Sequence, residues 1–373
     1  MRRESVQPRP NWRERCEAAG FNYHSMGGTY WDESACYAFS AEQVDRLEAA
    51  TAELHQLCLA AVEHVVRERR FAAFAIPEAF HTLVADSWHA REPTLFGRFD
   101  LSWDGEGEPK LLEYNADTPT ALLEASVVQW HWLEDLKPDA DQFNSLHEKL
   151  IDRWKAMMRP SRDNVLHLSC VKESPEELGN VEYLRDCALQ AGWDARRLYI
   201  EDVGWDGERF VDLDDEAVQT LFKLYPWEWL VREEFGRHLL ARPARLIEPA
   251  WKMLLSNKAF LVVLWELNYA HPNLLPAYFD ESRFAGEYAK KPLLAREGSN
   301  VTLKRRSAVI EQPGEYGDEG FVYQGLAPLP EFDGRHAVIG SWIVGDEPAG
   351  IGIREDDSPI TRNSSRFLPH YFT

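Results

Sequence analysis

Apolar residues recur at three- and four-residue spacings through much of the chain. Between residues 41 and 66 they include Leu47, Leu54 and Ala61, all on one side of a helical turn. This spacing predicts an amphipathic helix, and Ser40 is a suitable N-cap for it. Further helices are predicted at residues 122–136, 141–158, 176–191 and 248–267.

Strand-like segments alternate with these helices and dominate the last third. A hairpin is predicted at residues 97–115, and a second one at residues 336–354 turning at 345–348. Buried or alternating apolar runs predict strands at residues 164–171, 292–303 and 320–327. Mixed elements in this order indicate an α+β or mixed α/β fold, rather than a helical bundle or a β-sandwich.

The first hairpin has an informative pattern of charge. If its turn is centred at Glu106 and Gly107, cross-strand partners have residue numbers that sum to 213. Asp100 then faces Glu113, Arg98 faces Asn115, and Phe99 faces Tyr114 on the opposite, apolar side. One face of the hairpin therefore carries two opposed carboxylates beside an arginine and an amide.

Like charges directly opposite each other destabilise a sheet, so this face needs compensation. Asp100, Glu113 and Asn115 offer oxygen atoms of the kind that Mg²⁺ prefers, and nucleotide phosphates could complete its coordination. Arg98 suits a carboxylate or a transferring phosphoryl group. The alternative is a solvent-exposed hairpin face with ordinary surface charge.

Candidate nucleotide contacts lie further along the chain. Lys291 precedes a small-residue segment that includes Gly298, an arrangement able to place a cation and backbone N–H groups over phosphates. Lys258 is a further candidate, although surface lysines are the commoner explanation for both. The chain contains no GxxxxGK[ST] motif of the Walker type.

Two other segments could complete such a site. The strand end at Gln324, Gly325 and Leu326 can offer backbone groups to an adenine edge. Arg354 follows an alternating strand and could meet phosphate, or it could be an arginine at the rim.

Charge and composition narrow the classes of partner. There are 41 basic and 62 acidic residues, a net charge of −21, which disfavours nucleic acid and favours cations such as amines and metal ions. The longest apolar run, residues 259–265, is too short to span a membrane, and the polar N-terminus does not resemble a secretory signal. Five scattered cysteines without a CxxC pair are typical of reduced thiols, and we expect a cytoplasmic protein.

Taken together, these motifs resemble the synthetase domain of the glutathionylspermidine synthase family and its stand-alone acid–amine ligase relatives. The resemblance extends over nearly the whole chain. The residues that carry it are Gly97-Arg98-Phe99-Asp100, the run LEYNADTPT at residues 112–120, FKLYPWEW at 222–229, EPAWK at 248–252, Lys291-Pro292-Leu293, Arg296-Glu297-Gly298 and Tyr323-Gln324.

The resemblance implies an ATP-grasp-like core of permuted order, in which the metal-binding strands precede the nucleotide lysines. Its implied site comprises Mg²⁺ ligands (Asp100, Glu113, Asn115), nucleotide contacts (Lys258, Lys291, Gly298, Gln324, Gly325, Leu326), substrate contacts (Arg98, Thr118) and Arg354 at the transferring phosphoryl group. It also implies a single ligase unit over residues 1–373. Its lobes are a helical part with the metal-binding hairpin (1–160), an α/β substrate lobe (161–245) and a nucleotide-binding lobe (246–373), without the family's N-terminal amidase domain.

The expected activity is ATP- and Mg²⁺-dependent formation of an amide from a glutathione-like or peptide carboxylate and an amine, which could be a polyamine. An acyl phosphate would be the intermediate and ADP the product, because a free carboxylate does not react with an amine. Two alternatives remain open: a metal-dependent hydrolase, and a non-catalytic relative that binds a nucleotide or an amine. Glu176 and Glu177 either contact the acid or form the first turn of a helix.

Overall fold

The computed structural model describes residues 1–159 and 164–373, and the predicted boundary between the first two lobes, at residues 160 and 161, lies outside these ranges. The α-helices of the described residues are α1 (Trp12–Ala18), α2 (Ala41–Arg67), α3 (His81–His89), α4 (Gln129–Leu136), α5 (Leu146–Met157), α6 (Pro175–Ala191), α7 (Trp227–Leu230) and α8 (Ala259–Leu267). A π-helical turn, Glu124–Val128, leads into α4. Short 3₁₀ segments lie at Arg70–Phe74, Glu78–Phe80, Ile200–Asp202, Phe235–Ala241, Ala250–Met253 and Glu281–Arg283.

The strands complete a mixed α/β architecture, as the sequence predicts. They are β1 (Arg2–Ser5), β2 (Ala35–Phe39), β3 (Phe96–Ser102), β4 (Lys110–Asn115), β5 (Val165–Ser169), β6 (Asp194–Arg197), β7 (Gly204–Trp205), β8 (Phe210–Val211), β9 (Thr220–Lys223), β10 (Arg245–Ile247), β11 (Ala277–Tyr278), β12 (Tyr288–Pro292), β13 (Thr302–Arg305), β14 (Ala308–Glu311), β15 (Phe321–Gln324), β16 (Glu331–Phe332), β17 (Arg335–Val344), β18 (Glu347–Asp356), β19 (Arg366–Leu368) and β20 (His370–Phe372).

Three sheets surround the site. The largest has the order β19-β18-β17-β3-β4, with β16 beside β17, and all of its pairs are antiparallel. The antiparallel order β11-β15-β12-β13-β14 forms the second sheet, and the parallel order β10-β9-β5-β6 forms the third. The first hairpin therefore joins a sheet whose other long strands come from the last third of the chain.

The largest sheet is covered on both faces. Helix α2 packs on one face, where the Thr51 hydroxyl lies 2.6 Å from the Ser341 hydroxyl. Helix α5 contacts β17 and β18, and its Trp154 lies in the same apolar cluster as Trp342. Since strand side chains alternate between faces, Ser341 and Trp342 point to opposite sides of the sheet.

Helix α2 confirms the prediction for residues 41–66. The Ser40 hydroxyl accepts a hydrogen bond from the Gln43 amide at 3.3 Å, and the Gln43 side chain accepts one from the Ser40 amide at 3.1 Å. This reciprocal capping box satisfies two backbone donors that have no partner inside the helix.

Two predicted elements are wrong. The helix predicted at residues 248–267 is helical as α8 only from Ala259, because Pro249 and the Asn257 side chain, which accepts from the Ala259 amide, break the pattern. The strand predicted at residues 292–303 is instead the end of β12, a loop, and the start of β13. Three loop residues, Glu297, Gly298 and Asn300, have positive φ, which excludes a continuous strand.

Smaller differences concern element ends. Helix α5 begins at Leu146 rather than at residue 141, because Asp141 and Asn144 make bridges to Phe372 and Gly350. None of the helices in residues 1–159 and 164–373 could bridge a lipid bilayer, since each is too short or too polar.

Candidate active site

The hairpin of β3 and β4 has the predicted register. Arg98 pairs with Asn115, Phe99 with Tyr114 and Asp100 with Glu113, and a bulge follows between Asp100 and Leu101. The rings of Phe99 and Tyr114 stack with centroids 4.0 Å apart on the apolar side. The four polar side chains therefore share the opposite face, as the sequence predicts.

The protein itself compensates the two opposed carboxylates. Arg98 Nε donates to Asp100 Oδ1 at 2.8 Å, and Lys258 Nζ lies 3.1 Å from Glu113 Oε2. Asn115 Nδ2 lies between the two acids, 3.5 Å from Asp100 Oδ2 and 3.4 Å from Glu113 Oε1. The opposed charges therefore do not by themselves require a metal ion, which corrects that step of the sequence argument.

The two carboxylates differ electrostatically. Burial alone would raise the pKa of Glu113, but the nearby charges of Lys258 and Lys291 lower this pKa to about 2. Burial raises the pKa of Asp100 despite the Arg98 guanidinium, and the Glu113 charge adds to that shift. The charged form is therefore favoured more strongly at Glu113 than at Asp100.

The oxygen donors on this face suit a hard cation. Two carboxylates and an amide match the ligands of Mg²⁺, which takes its remaining ligands from phosphates and water. No group of three or more His, Cys, Asp or Glu residues able to hold a metal occurs within residues 1–159 and 164–373. A metal bound by protein carboxylates alone is thus less suitable here than one shared with a nucleotide.

A cavity opens beside this face, between the largest sheet and the sheet that contains β12 and β15. Its lining includes eight of the residues singled out in the sequence: Asp100, Glu113, Lys258, Lys291, Gly298, Gln324, Gly325 and Leu326. Apolar side chains, among them Leu112, Leu303 and Val338, supply the rest of the wall. Cations and carboxylates at one end and apolar groups elsewhere suit a nucleotide with a phosphate tail and a flat base.

Both lysines are buried, so the surface-lysine explanation fails. Lys291 is 8% exposed, and its Nζ donates to Gln324 Oε1 at 2.8 Å and to Leu112 O at 2.9 Å. Lys258 is 6% exposed, and its Nζ donates to Ala295 O at 2.6 Å. Burial lowers the pKa of Lys291 to about 8, although the Glu113 charge opposes this shift.

The loop between β12 and β13 closes one side of the cavity. Gly298 has φ +68°, and an added Cβ would lie 2.6 Å from Thr361 O, so the position requires glycine. Arg296 projects from the same loop; its Nη1 donates to Thr118 Oγ1 at 2.7 Å and its Nε to Glu228 Oε1 at 3.1 Å. Arg296 and Glu228 are among the residues that carry the family resemblance, but the sequence predicts no role for either. The turn-forming run Glu297 to Asn300 is the signal available for this loop.

A smaller cavity adjoins the first one. Glu113 and Lys258 line both, and Asn115, Thr118 and Arg296 line the second only. The structure thus brings the predicted Thr118 and Asn115 beside the first cavity rather than into it.

The two predicted arginines lie near the cavities without lining them in the described structure. Arg98 is 8% exposed and also donates to Thr120 O at 2.8 Å. Arg354 points to the same face of the sheet, since it pairs with Val338 while Asp100 pairs with Gly340. Its Nη2 donates to the carbonyl oxygens of Arg362 and Asn363, so its role at a phosphoryl group stays a prediction.

Glu176 and Glu177 occupy the first turn of α6. The Ser174 hydroxyl caps this helix by accepting from the Glu177 amide at 3.3 Å, and the Glu177 carboxylate accepts from the Val171 amide at 3.3 Å. Burial raises the pKa of Glu177 to about 7. These contacts support the structural explanation for Glu177, which the sequence left open.

Comparison with known proteins matches the sequence of this chain to one family. The family model for the glutathionylspermidine synthase pre-ATP-grasp region matches residues 3–373. A Haemophilus influenzae protein provisionally named an acid–amine ligase is 43% identical, and the match covers 98% of this chain and 97% of that protein.

Two longer relatives match over part of their length. The trypanothione synthetase of Crithidia fasciculata is 29% identical over 95% of this chain, and the bifunctional glutathionylspermidine synthetase/amidase of Escherichia coli is 30% identical over 88%. This chain spans only 57% and 58% of their respective lengths.

Among solved structures, a glutathione synthetase-like effector of Globodera pallida has a similar fold. The TM-score is 0.56 at 12% identity, and the match covers 99% of this chain and 98% of that one. This likeness concerns the fold, which agrees with the ATP-grasp-like architecture expected from the sequence.

Proposed function

Because the chain belongs to the glutathionylspermidine synthase family, we propose that it is an ATP- and Mg²⁺-dependent ligase that joins a carboxylic acid to an amine. One observation carries the proposal. The opposed carboxylates Asp100 and Glu113 and the buried lysines Lys258 and Lys291 open into a single cavity. That combination suits a metal-bound triphosphate and has no use in a binding site for a neutral molecule.

The reaction would proceed in two steps. A carboxylate oxygen of the acid attacks the γ-phosphorus of ATP, the bond to the β,γ-bridging oxygen breaks, and ADP leaves with the electron pair. The amine nitrogen then attacks the carbonyl carbon of the acyl phosphate, the C–O bond to phosphate breaks, and the nitrogen loses a proton. Amide, ADP and phosphate are the products.

The protein supplies position and charge rather than a nucleophile. Lys258 and Lys291 would hold the nucleotide phosphates, and Gln324, Gly325 and Leu326 would lie near the adenine. Asp100, Glu113 and Asn115 would hold Mg²⁺, which neutralises phosphate charge when bound. Arg98 and Thr118 would contact the acid.

Arg354 and Gly298 complete the proposed roles. Arg354 would stabilise the transferring phosphoryl group from strand β18, on the same face of the sheet as Asp100. Gly298 lies in the loop beside the phosphates, where a side chain would collide with Thr361 O.

The names of relatives support a substrate class. Glutathionylspermidine, a conjugate of glutathione with a polyamine, appears in the name of the Escherichia coli protein. We therefore propose a glutathione-like or peptide carboxylate as the acid, and an amine that carries positive charge. We also propose that the three lobes predicted from the sequence act as one ligase unit.

The test is a screen of acid–amine pairs, led by glutathione with spermidine, in which ADP and the amide are both measured. Acid and Mg-ATP with hydroxylamine in place of the amine should yield a hydroxamate, because hydroxylamine traps an acyl phosphate. Glu113→Gln should lose turnover and keep its fold. Release of AMP and pyrophosphate would instead indicate an adenylating enzyme and contradict the proposal.

The same screen separates the two alternatives. A metal-dependent hydrolase would turn over without a nucleotide, and a non-catalytic relative would bind Mg-ATP without forming ADP for any pair. A metal-dependent hydrolase also leaves the buried cations Lys258 and Lys291 at the cavity wall without a phosphate to bind.

A further inference from the structure

A buried ion pair lies behind the candidate site, and the roles proposed above do not use it. Lys223 Nζ and Asp117 Oδ1 are 2.6 Å apart, and neither side chain has any solvent exposure. The second carboxylate oxygen, Asp117 Oδ2, accepts from the Trp227 amide at 2.8 Å. Lys223 Nζ also donates to Tyr225 O at 3.0 Å.

These contacts join separate parts of the fold. Asp117 lies two residues beyond the end of β4, which belongs to the largest sheet. Lys223 is the last residue of β9 in the parallel sheet, and Trp227 is the first residue of α7. One carboxylate therefore fixes the metal-binding hairpin to the neighbouring α/β lobe in two directions at once.

Arg296 donates to two residues that adjoin the contacts of Asp117. Thr118 follows Asp117 in the chain, and Glu228 follows Trp227. Arg296 Nη1 donates to Thr118 Oγ1 and its Nε to Glu228 Oε1, at 2.7 and 3.1 Å. The position of the Asp117 carboxylate thus determines the separation that Arg296 must bridge.

Stability alone does not account for such a pair. Removing two charges from water costs more than their attraction usually returns, and apolar replacements of similar volume are often as stable. A buried carboxylate with one donor on each oxygen does fix the orientation of the groups that it contacts, because both oxygens have defined partners. The pair is therefore suited to holding neighbouring groups in one arrangement.

We propose that Asp117 and Lys223 are positioning residues for the acid substrate. They hold Thr118, Glu228 and, through both of them, Arg296 in the arrangement that receives the acid's carboxylate. This inference rests on the proposed ligase function, in which Thr118 contacts the acid. Neither residue would touch the substrate itself.

The test compares Asp117→Asn with Glu33→Gln. Each change converts the acid of a buried ion pair into its amide. Glu33 Oε1 lies 2.6 Å from Arg9 Nη2, and its side chain has no exposure. Among the described residues, the Glu33 side chain accepts hydrogen bonds from Arg9 and Trp31, neither of which belongs to the candidate site. Asn at 117 has a single acceptor oxygen for two donors, so the Trp227 or the Lys223 contact must be lost. The probe pair is the acid and amine with the highest turnover in the screen, with glutathione and spermidine tried first.

We expect Asp117→Asn to raise KM for the acid at least about 10-fold while KM for ATP changes less than about 2-fold. Glu33→Gln should lower Tm by about as much as Asp117→Asn does, and it should leave both KM values within about 2-fold of those of the unchanged chain. Equal changes in the two KM values, or an unchanged KM for the acid in folded Asp117→Asn, would overturn the inference.

A second variant covers the case in which the single change prevents folding. Asp117→Asn combined with Lys223→Gln removes both charges, so no unpaired buried ion remains. It should show the same selective rise in KM for the acid. If none of the acids in the screen supports ADP formation by the unchanged chain, the proposed function fails and this inference fails with it. If the unchanged chain turns over but the variants show no selective rise in KM for the acid, only the positioning role is overturned.

Discussion

Glu124 is a fully buried carboxylic acid at the start of the π-helical turn. Its carboxylate accepts from the Tyr30 hydroxyl at 2.7 Å and from the Tyr23 hydroxyl at 3.4 Å. Burial and the charge of Glu176 raise the pKa of Glu124 from 4.5 to about 7. Sequence patterning could not single out this residue, because its environment is assembled from the N-terminal segment, helix α6 and strand β18.

The raised pKa makes the stability of the fold depend on pH. The folded protein retains a proton on Glu124 between pH 4.5 and about 7 that the unfolded chain releases. The stability that this bound proton contributes is therefore fully present below pH 4.5. It is lost as pH rises through about 7, and the free energy of unfolding falls by about 3 kcal/mol.

Glu124→Gln, which cannot ionise, should lack this dependence. Urea unfolding at about pH 4.5 and about pH 8.5 should show the variant gaining stability relative to the unchanged chain at the higher pH. The exposed control Glu234→Gln should change stability by less than about 0.5 kcal/mol at either pH. An equal difference between Glu124→Gln and the unchanged chain at both pH values would contradict the buried, proton-binding role.

Adjacent lysines provide a second test at the residue scale. Lys291 lines the cavity, whereas Lys290 lies on the other side of β12 with its Nζ 3.9 Å from the centre of the Phe321 ring. Lys291→Met should weaken Mg-ATP binding by about 1.5–3 kcal/mol, the value of a hydrogen bond to a charged group. Lys290→Met should change it by less than about 0.5 kcal/mol. Calorimetric titration measures both, and equal losses would remove Lys291 from the site.

At the scale of elements, the largest sheet positions the hairpin's polar face. Gly340 on β17 pairs with Asp100, and its missing side chain leaves room for Arg98 to lie across the strand. An added Cβ at Gly340 would be 2.8 Å from Arg98 Cδ. The close approach explains why a glycine stands in the middle of a long central strand.

Gly340→Ala should therefore displace Arg98 and lower kcat/KM by about 10- to 100-fold. Stability should stay within about 1 kcal/mol, because alanine is no worse than glycine in a strand. The control is Gly204→Ala on β7, where an added Cβ would meet Val211 Cγ2 at the similar distance of 2.9 Å, far along the chain from the hairpin. Equal activities for Gly340→Ala and the unchanged chain would show that the position of Arg98 does not matter.

The predicted elements succeeded where one local signal decided the structure. The alternation on both sides of the turn fixed the pairing of Asp100 with Glu113, and the capping residues fixed the start of α2. The strand prediction for residues 292–303 failed because Glu297, Gly298 and Asn300 form a loop with positive φ, which the same alternation cannot reveal. The sequence predicts no role for Arg296 in this loop.

At the scale of the whole molecule, acidic residues outnumber basic ones to a net charge of −21. Such an excess attracts cations to the surface over a distance set by the ionic strength. At the candidate site, in contrast, Lys258, Lys291 and Arg296 concentrate positive charge. The distribution suits anionic phosphates inside the cavity and a cationic amine arriving from outside.

The rate with a sub-saturating cationic amine should accordingly fall several-fold as NaCl rises from about 20 to about 300 mM. Hydroxylamine, which is largely uncharged at pH 8, serves as the control and should show a flat response. If both nucleophiles respond alike, the acidic surface plays no part in attracting the amine.

The sequence by itself determined the mixed α/β class, the long capped helix α2 and the register of the first hairpin. These follow from periodicity, capping and the two-residue repeat of a strand, all of which act between residues that are near in sequence or joined by a short turn. The paired carboxylates could be named from the same hairpin pattern, whereas Lys258 and Lys291 were selected through the family resemblance.

Tertiary structure alone decided what surrounds these residues. It placed Lys258, 145 positions beyond Glu113 in the chain, within 3.1 Å of that carboxylate, and it buried Lys291 against Gln324. It also formed the Asp117–Lys223 pair and the bridge from Arg296 to Thr118 and Glu228. Such contacts depend on how three sheets pack together. The pKa of each group is set by its burial and by nearby charges, and both are defined only once that packing is complete.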